Sequence, residues 1–325
     1  MKQDKSQQSH VETLTESNEE QNSIFYYRIK SYVPEHLVEA LLKKPEGYIP
    51  GPRYLLYTLM SVDISGFTAL TEEFSMSKKK DGAEILTGLI NQLFTGIIKF
   101  IEKYRGSVLK FGGDSLLAMF PVDNSLSNIS QQNAVKAGIA VLNFIKKNGK
   151  TVVSGKKHFL GVHIGIHHGK IFSTVLGKNC SRREYFLTGK VFNELMIAQG
   201  LAHSGDVVLS KSVLTALPTL QTKKMQKNYY LLIDRDARKV GSNKQQKIIS
   251  KEETAFDEKK IVKIIPFLTS LVPDHLVKKY IISGETEEFL NEHRKVTSMF
   301  VNVIGFSDMV SRTALPDLIN LNKIV

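Results

Sequence analysis

The 325-residue sequence lacks tryptophan, has a single cysteine, Cys180, and contains no uninterrupted apolar run long enough to span a bilayer. A lone cysteine excludes an intramolecular disulfide framework, so we expect an intracellular protein. The residues before Asn22 are polar and charged without an apolar core, so we expect no secretory signal there. We therefore predict a cytoplasmic protein without a transmembrane segment. No residue pattern indicates a cilium or a membrane-associated pool.

The charge balance is basic, with 44 Lys and Arg residues, 32 Asp and Glu residues and a net charge of +12. Such a charge suits nucleic acid, a membrane surface or a polyanionic small substrate. However, many of the lysines lie in the polar stretch 223–260, and no predicted helix carries a dense basic stripe with interleaved aromatic residues. We therefore expect no nucleic-acid partner.

The hydrophobic periodicity predicts alternating strands and helices. In chain order they are a strand, a helix, two strands, a helix and a strand, over residues 55–62, 81–104, 107–111, 115–120, 133–146 and 160–166. This order is typical of a ferredoxin-like βαββαβ domain of the α/β class, an α+β sandwich. Beyond it we predict a strand pair over 169–177, a strand over 185–188 and a helix from Gly189 to about His203.

Two acidic residues occupy special positions in this order. Asp63 follows the apolar first strand and precedes a Ser65-Gly66 turn into a helix, while Asp114 lies in the turn between the second and third strands. In a βαββαβ sheet the third strand lies between the first two, which places both acids at one edge. Two such carboxylates repel each other unless a cation lies between them. Because a helix start also favours an anion, we predict a divalent-cation site beside a phosphate.

Other polar residues are given plainer interpretations. His163 and His167 have no cysteine or carboxylate predicted beside them, so a structural or solvent-facing role is favoured over a zinc site. Cys180 lies in a basic loop with Arg182 and Arg183, and an unreactive surface cysteine is favoured there.

The sequence also contains an internal repeat. Val33–Val38 reappears as Val272–Val277, and Val62–Thr68 reappears as Val301–Ser307, both at an offset of 239 residues (272 − 33). We interpret this as a tandem duplication. The second copy has Asn302 where the first has Asp63, and counterparts of Asp114 and Asn193 would fall beyond Val325. We therefore expect only the truncated start of a second copy.

Four segments resemble the class III nucleotidyl cyclases, specifically the first catalytic half of the bicarbonate-regulated soluble adenylyl cyclases. They are Val62–Thr68, Leu109–Ala118, Gly165–Gly169 and Tyr185–Asn193, they follow the family's order, and they cover roughly Ile29–Ser210. On the basis of this resemblance we divide the chain into a disordered leader (1–24), a class III cyclase catalytic domain (25–215), a linker (216–268) and the truncated start of a second cyclase domain (269–325).

The resemblance implies an adenylate cyclase, a phosphorus–oxygen lyase that converts ATP to cyclic AMP and pyrophosphate. It implies that Asp63, the carbonyl of Ile64 and Asp114 bind two Mg²⁺ or Mn²⁺ ions. It also implies that the triphosphate is bound by the backbone N–H groups of Ser65, Gly66, Phe67 and Thr68. Little side-chain acid–base machinery is then needed, because the cations activate the ribose 3′-hydroxyl and neutralise phosphate charge.

The resemblance further implies that this half needs a partner. Asn193 matches the family's transition-state asparagine, but Ile197 occupies the position of its arginine. A complementary second half, in a longer chain or in trans, is therefore expected to supply the arginine. Catalysis by this chain alone stays an open question.

A regulatory pocket for bicarbonate is the last feature that the resemblance implies. Lys110 matches the family's bicarbonate lysine, and Leu187 and Phe192 match wall residues. Met196 replaces the arginine that clamps the anion, which disfavours bicarbonate activation because methionine has no charge or donor.

Two alternatives stay open from the sequence. One is a non-catalytic pseudo-cyclase that binds nucleotide or a cyclase partner and regulates it, and Ile197 favours this reading for a stand-alone chain. The other is a different palm-type phosphoryl transferase with the same paired carboxylates. ATP and GTP both remain candidate substrates.

Overall fold

The computed structural model describes residues 19–46, 50–77, 81–122, 128–153, 156–177, 182–241, 257–278 and 304–305. Residues 1–18 of the predicted leader, Cys180 and Asn302 lie outside the described residues. The chain divides into two compact units. Unit 1 comprises Met1–Arg53, Phe172–Leu187 and Lys247–Val325, and unit 2 comprises Tyr54–Ile171 and Thr188–Gln246.

Helices and strands are interspersed along the described chain. The α-helices are α1 Glu19–Lys30, α2 Glu35–Lys43, α3 Phe67–Ser77, α4 Asp81–Lys103, α5 Ile129–Asn148, α6 Lys190–Gly200, α7 Lys211–Ala216, α8 Glu258–Leu271 and α9 Asp274–Leu276. The strands are β1 Arg53–Ser65, β2 Ser107–Gly112, β3 Ser115–Pro121, β4 Lys150–Val153, β5 Lys156–Phe159, β6 Gly161–Leu176, β7 Glu184–Thr188, β8 Val207–Ser210, β9 Thr222–Gln226 and β10 Tyr229–Leu232. A short 3₁₀ helix covers Ala237–Lys239.

The main sheet has the strand order β2-β3-β1-β6-β8-β10-β9, and β7 also pairs with β6. Strand β3 is antiparallel to both of its neighbours, β1 and β2. Its Ser115 lies opposite Asp63 of β1 and opposite Gly112 of β2. Strands β1 and β2 are therefore parallel, with β3 between them. This is the arrangement predicted from the order of elements, and the α/β fold prediction is confirmed.

The core of unit 2 lies between the sheet and helices α4 and α5. Met60 and Ile164 from the sheet are fully buried in the same apolar cluster as Ile97 of α4 and Ala137 of α5. The two helices approach closely at Gly96, where an added Cβ would lie 2.0 Å from the Phe144 ring. The amphipathic pattern that predicted both helices is thus satisfied by burial against one sheet.

Some predicted boundaries were wrong. The predicted strand pair over 169–177 is the second half of one continuous 16-residue strand, β6. The predicted pair began at Gly169, but this residue lies inside the strand, and the left-handed turn comes at Gly177, with φ +91°. The β4–β5 hairpin was not predicted, and α6 ends at Gly200 and not near His203.

Unit 1 contains a small helical core of its own. Its buried apolar cluster joins helices α1, α2, α8 and α9 and includes Phe25, Ile29, Leu37, Ile264 and Leu268. The backbone N–H of Arg183 donates to the Ser270 carbonyl over 2.6 Å, which ties the segment before β7 to α8. Among the described residues no helix is both long and apolar enough to cross a bilayer.

Candidate functional site

The sheet brings the two acidic residues together. Asp63 lies near the C-terminal end of β1, opposite Ser115, and the N–H of Ile64 donates to the Asp114 carbonyl over 3.1 Å. Burial raises the pKa of Asp63, His163 lowers it and Asp114 raises it further, and the net shift is upward. The carboxyl group of Asp63 thus interacts with both His163 and Asp114. An acid held this way favours its protonated form unless positive charge is supplied beside it.

Asp63 also has two polar neighbours that hold one of its oxygens. His163 Nε2 lies 2.9 Å from Asp63 Oδ2, and Gln199 Nε2 donates to the same oxygen over 3.4 Å. The interpretation that no carboxylate lies beside His163 was therefore wrong. The missing information was the strand order, since β6 neighbours β1 in the sheet although about a hundred residues separate His163 from Asp63 in sequence. Neither His163 nor Gln199 was predicted as a site residue.

The turn after β1 adopts a conformation that requires glycine. Gly66 has φ +87°, and an added Cβ would lie 2.9 Å from the Phe159 carbonyl oxygen. Helix α3 begins directly afterwards at Phe67, and the Leu70 N–H donates to the Gly66 carbonyl over 3.3 Å. The first N–H groups of a helix have no intrahelical acceptor and carry the positive end of its dipole. The turn thus presents donors suited to an anion next to Asp63.

The predicted transition-state residue, Asn193, lies on the helix that also carries Gln199. Asn193 and Met196 are exposed on α6, as is Ile197, whose side chain is 46% exposed. Gln199 of the same helix contacts Asp63, and Asn193 precedes it by six residues, about 9 Å along a helix axis. Asn193 is therefore not gathered with Asp63 and Asp114.

The predicted bicarbonate residues are distributed over β2, β7 and α6. Lys110 is exposed on β2, opposite Leu117 of β3, and Met196 is 55% exposed. Phe192 is half-buried in the first turn of α6. Leu187 is half-buried in β7 and belongs to unit 1, whereas the other three residues belong to unit 2.

The donor set beside the turn fits a divalent cation. Two carboxylates and a backbone carbonyl are hard oxygen donors of the kind that Mg²⁺ and Mn²⁺ prefer. A cation would also offset the burial and the Asp114 charge that raise the pKa of Asp63, while His163 and Gln199 hold its carboxylate in one orientation. Among the described residues no three His, Cys, Asp or Glu side chains converge on one point. Water or substrate oxygens would therefore have to complete the coordination of a cation.

Such a fold and site suggest an enzyme that either polymerises or cyclises nucleotides. Comparison with known proteins distinguishes these two classes. Residues 52–247 match the family model described as the adenylate and guanylate cyclase catalytic domain. The chain belongs to this family of class III cyclases, as its motifs predicted. Cyclase domains of this family bind nucleotide, often act as dimers and generally use divalent metal ions.

Individual relatives agree with the family assignment. The chain is 32% identical to adenylate cyclase type 10 of Oryctolagus cuniculus over 185 residues, which are 56% of this chain and 11% of that protein. It is 37% identical to the Rattus norvegicus protein of the same name over 155 residues, 47% of this chain and 9% of that one. The chain thus spans only about a tenth of these curated relatives.

Solved structures add a likeness of fold. A bacterial light-regulated adenylyl cyclase has a TM-score of 0.50 at 15% identity, covering 75% of this chain and 66% of that chain. At this identity the likeness extends to the fold alone.

Proposed function

We propose that this chain is the metal-bearing half of an adenylyl cyclase that converts ATP to cyclic AMP and pyrophosphate. The observation that carries the proposal is the convergence of Asp63 and Asp114 beside the Gly66 turn that begins α3. This arrangement offers oxygen ligands and anion donors side by side, which is what a nucleotide triphosphate with its cations requires. We place the protein in the cytoplasm as part of the same proposal.

Each residue of the site then has a definite task. Asp63, Asp114 and the Ile64 carbonyl would hold two Mg²⁺ or Mn²⁺ ions, which when bound supply Lewis-acid activation and neutralise phosphate charge. The N–H groups of 65–68 hold the triphosphate. His163 and Gln199 fix the Asp63 carboxylate through Oδ2.

The reaction itself is an intramolecular substitution at phosphorus. The ribose 3′ oxygen forms a bond to the α-phosphorus as the bond from that phosphorus to the β-phosphate bridging oxygen breaks. The 3′ proton leaves to solvent, and pyrophosphate departs with the electron pair. Positioning and charge stabilisation are sufficient for such a step, so no further acid–base side chain is required in this half.

The arginine that stabilises the transition state must come from another polypeptide segment. Ile197 has no charge, and Asn193 is exposed on α6, six residues before Gln199, which contacts Asp63. We therefore propose a second cyclase half as partner, in a longer chain or in trans. Without it, loss of one charge-stabilising group costs on the order of 10²–10³ in rate. Bicarbonate is not included among the ligands, because Met196 cannot clamp an anion.

The decisive experiment is a cyclase assay with Mn²⁺ and ATP on the purified chain, alone and mixed with a complementary second half that carries the family's Asn and Arg. We expect cyclic AMP in the mixture only, and a reduction of about a hundredfold or more with Asp63→Asn. Mn²⁺ binding to the chain, measured by electron paramagnetic resonance, should weaken in the same variant. Glu102→Gln, which removes an exposed charge at the end of α4, is the matched control.

Two outcomes would contradict the proposal in different ways. Strong activity of the isolated chain would show that Ile197 does not disable the site. Tight ATP binding without turnover in either format would favour the alternative, a pseudo-cyclase that regulates a partner, which Ile197 also suggests.

A further inference from the structure

The segments that precede the two copies of the repeat have the same local structure. Helices α1 and α8 cover Glu19–Lys30 and Glu258–Leu271, and α2 and α9 begin at Glu35 and Asp274, 239 residues apart. We call 19–43 the first lead-in and 258–277 the second lead-in. The proline before the second helix of each has nearly the same conformation, φ −55° and ψ 130° at Pro34 and φ −55° and ψ 134° at Pro273.

Leu37 and Ser270 are each buried although their repeat counterparts, Leu276 and Ser31, are not, but six positions are buried in both lead-ins. In the first lead-in they are Asn22, Phe25, Tyr26, Ile29, Val33 and Val38, and in the second Ile261, Ile264, Ile265, Leu268, Val272 and Val277. Each residue of the second set lies 239 positions after its counterpart. The side chains differ, as with Tyr26 and Ile265, but the buried face is conserved between the two copies.

These two equivalent faces pack on each other. Helix α8 contacts both α1 and α2, and one apolar cluster contains the buried hydrophobic residues of both lead-ins. Ile29 and Leu268, which are repeat counterparts, are each fully buried. A contact in which both partners use the same positions is isologous, the kind that normally joins two copies of one protein around a twofold axis.

We propose that the lead-in is a self-complementary docking surface whose partner is another lead-in of the same type. In this chain the second lead-in occupies the first. A second copy of the chain carries the same surface and therefore fits the same position once the internal occupant is displaced. The first lead-in ends at Lys43, ten residues before β1 begins at Arg53, so pairing with the lead-in of a second copy would join the two chains directly upstream of this strand.

The docking surface does not depend on the cyclase chemistry proposed above, and peptide binding tests it without turnover. Fluorescent peptides of residues 19–40 and 257–278 are titrated into the full chain and into its Leu268→Asp variant, with anisotropy as the readout. Leu268→Asp places a charge in the cluster and should displace the second lead-in. We expect both peptides to bind this variant at least tenfold more tightly than the wild type, where the tethered occupant competes.

The specificity of the site is tested by substitutions on the other partner. Adding Ile29→Asp to the Leu268→Asp chain should weaken the binding of both peptides at least tenfold. Ile24→Asp, the same chemical change at a position that is 46% exposed, should leave binding unchanged. Leu268→Ala serves as a milder second variant, and circular dichroism verifies that each chain is folded.

Three results would overturn the self-complementary surface. The first is binding of the 257–278 peptide without binding of the 19–40 peptide. The second is binding of neither peptide to the folded Leu268→Asp and Leu268→Ala chains. The third is equally tight binding of the peptides to the Leu268→Asp chain and to the chain that carries both Leu268→Asp and Ile29→Asp, because the peptides would then bind elsewhere.

Discussion

His36 should make the stability of unit 1 depend on pH. Its Nε2 lies 2.7 Å from the Tyr185 hydroxyl, which also accepts a hydrogen bond from Ser173 over 2.9 Å. Burial and, to a smaller extent, the charge of Arg53 lower the pKa of His36 from 6.5 to about 4. The folded chain therefore resists protonation of this ring, whereas the unfolded chain accepts a proton near pH 6.5.

The sign and size of the effect follow from linkage. A histidine with a lowered pKa in the folded state contributes full stability above pH 6.5, and this contribution is lost as the pH falls from 6.5 towards 4. For a folded pKa of about 4, the loss between pH 8 and pH 5 is roughly 2 kcal/mol of unfolding free energy. The pKa of His167 is likewise lowered to about 4, so the wild type has a second source of acid sensitivity.

The test compares urea unfolding of the wild type and His36→Gln at pH 8 and pH 5, followed by circular dichroism. The variant should lose roughly 2 kcal/mol less than the wild type over this interval, since His167 contributes equally to both proteins. His275→Gln is the control, because His275 is the repeat counterpart of His36 and is exposed. Identical pH dependence in wild type and His36→Gln would refute the reasoning, as would a comparable effect of His275→Gln.

Three further substitutions test the turn at Gly66, the hydrogen bond between Tyr229 and Glu194, and the core of unit 2. Gly66→Ala should cost about 1–3 kcal/mol of unfolding free energy, because φ is +87° and the added Cβ would crowd the Phe159 carbonyl. Tyr229→Phe should cost about 1.5–3 kcal/mol, because the Tyr229 hydroxyl donates to the Glu194 carboxylate over 2.6 Å. Leu116→Ala should cost about 2–5 kcal/mol, because the side chain is 1% exposed in the core of unit 2.

Each of these has a matched control measured by the same urea unfolding. Gly51→Ala adds a Cβ that meets nothing within 4 Å. Tyr230→Phe removes a hydroxyl from the adjacent position on β10, and Leu56→Ala truncates a β1 side chain that is 43% exposed. A control as destabilising as its partner substitution would contradict the corresponding assignment.

Local patterns in the sequence were sufficient for much of the fold. The helical spacing of Ile97 and its neighbours predicted α4, and the polar residue that follows an apolar run placed Asp63 near the end of β1, which extends to Ser65. These signals depend on residues close together in the chain, where periodicity reports burial directly. The order of elements then placed Asp63 and Asp114 at one edge of the sheet, because the handedness and pairing rules of a βαββαβ unit leave few alternatives.

Signals that depend on glycine were less reliable. A strand pair was predicted to begin at Gly169, yet this residue lies inside β6, while Gly66 and Gly177 mark true left-handed turns. Glycine tolerates both extended and left-handed backbone, so its presence alone does not decide between them.

Residue type and spacing alone predicted the order of the βαββαβ elements, the acidic pair and the repeat at 239 residues, because each of these is a local pattern or a comparison of two stretches of sequence. Only the tertiary structure decided that His163 and Gln199 hold Asp63, and that the two lead-ins pack face to face. Both are contacts between residues more than 90 positions apart. They depend on strand order and on helix docking, which are set by the burial of the whole chain and not by any local stretch of it.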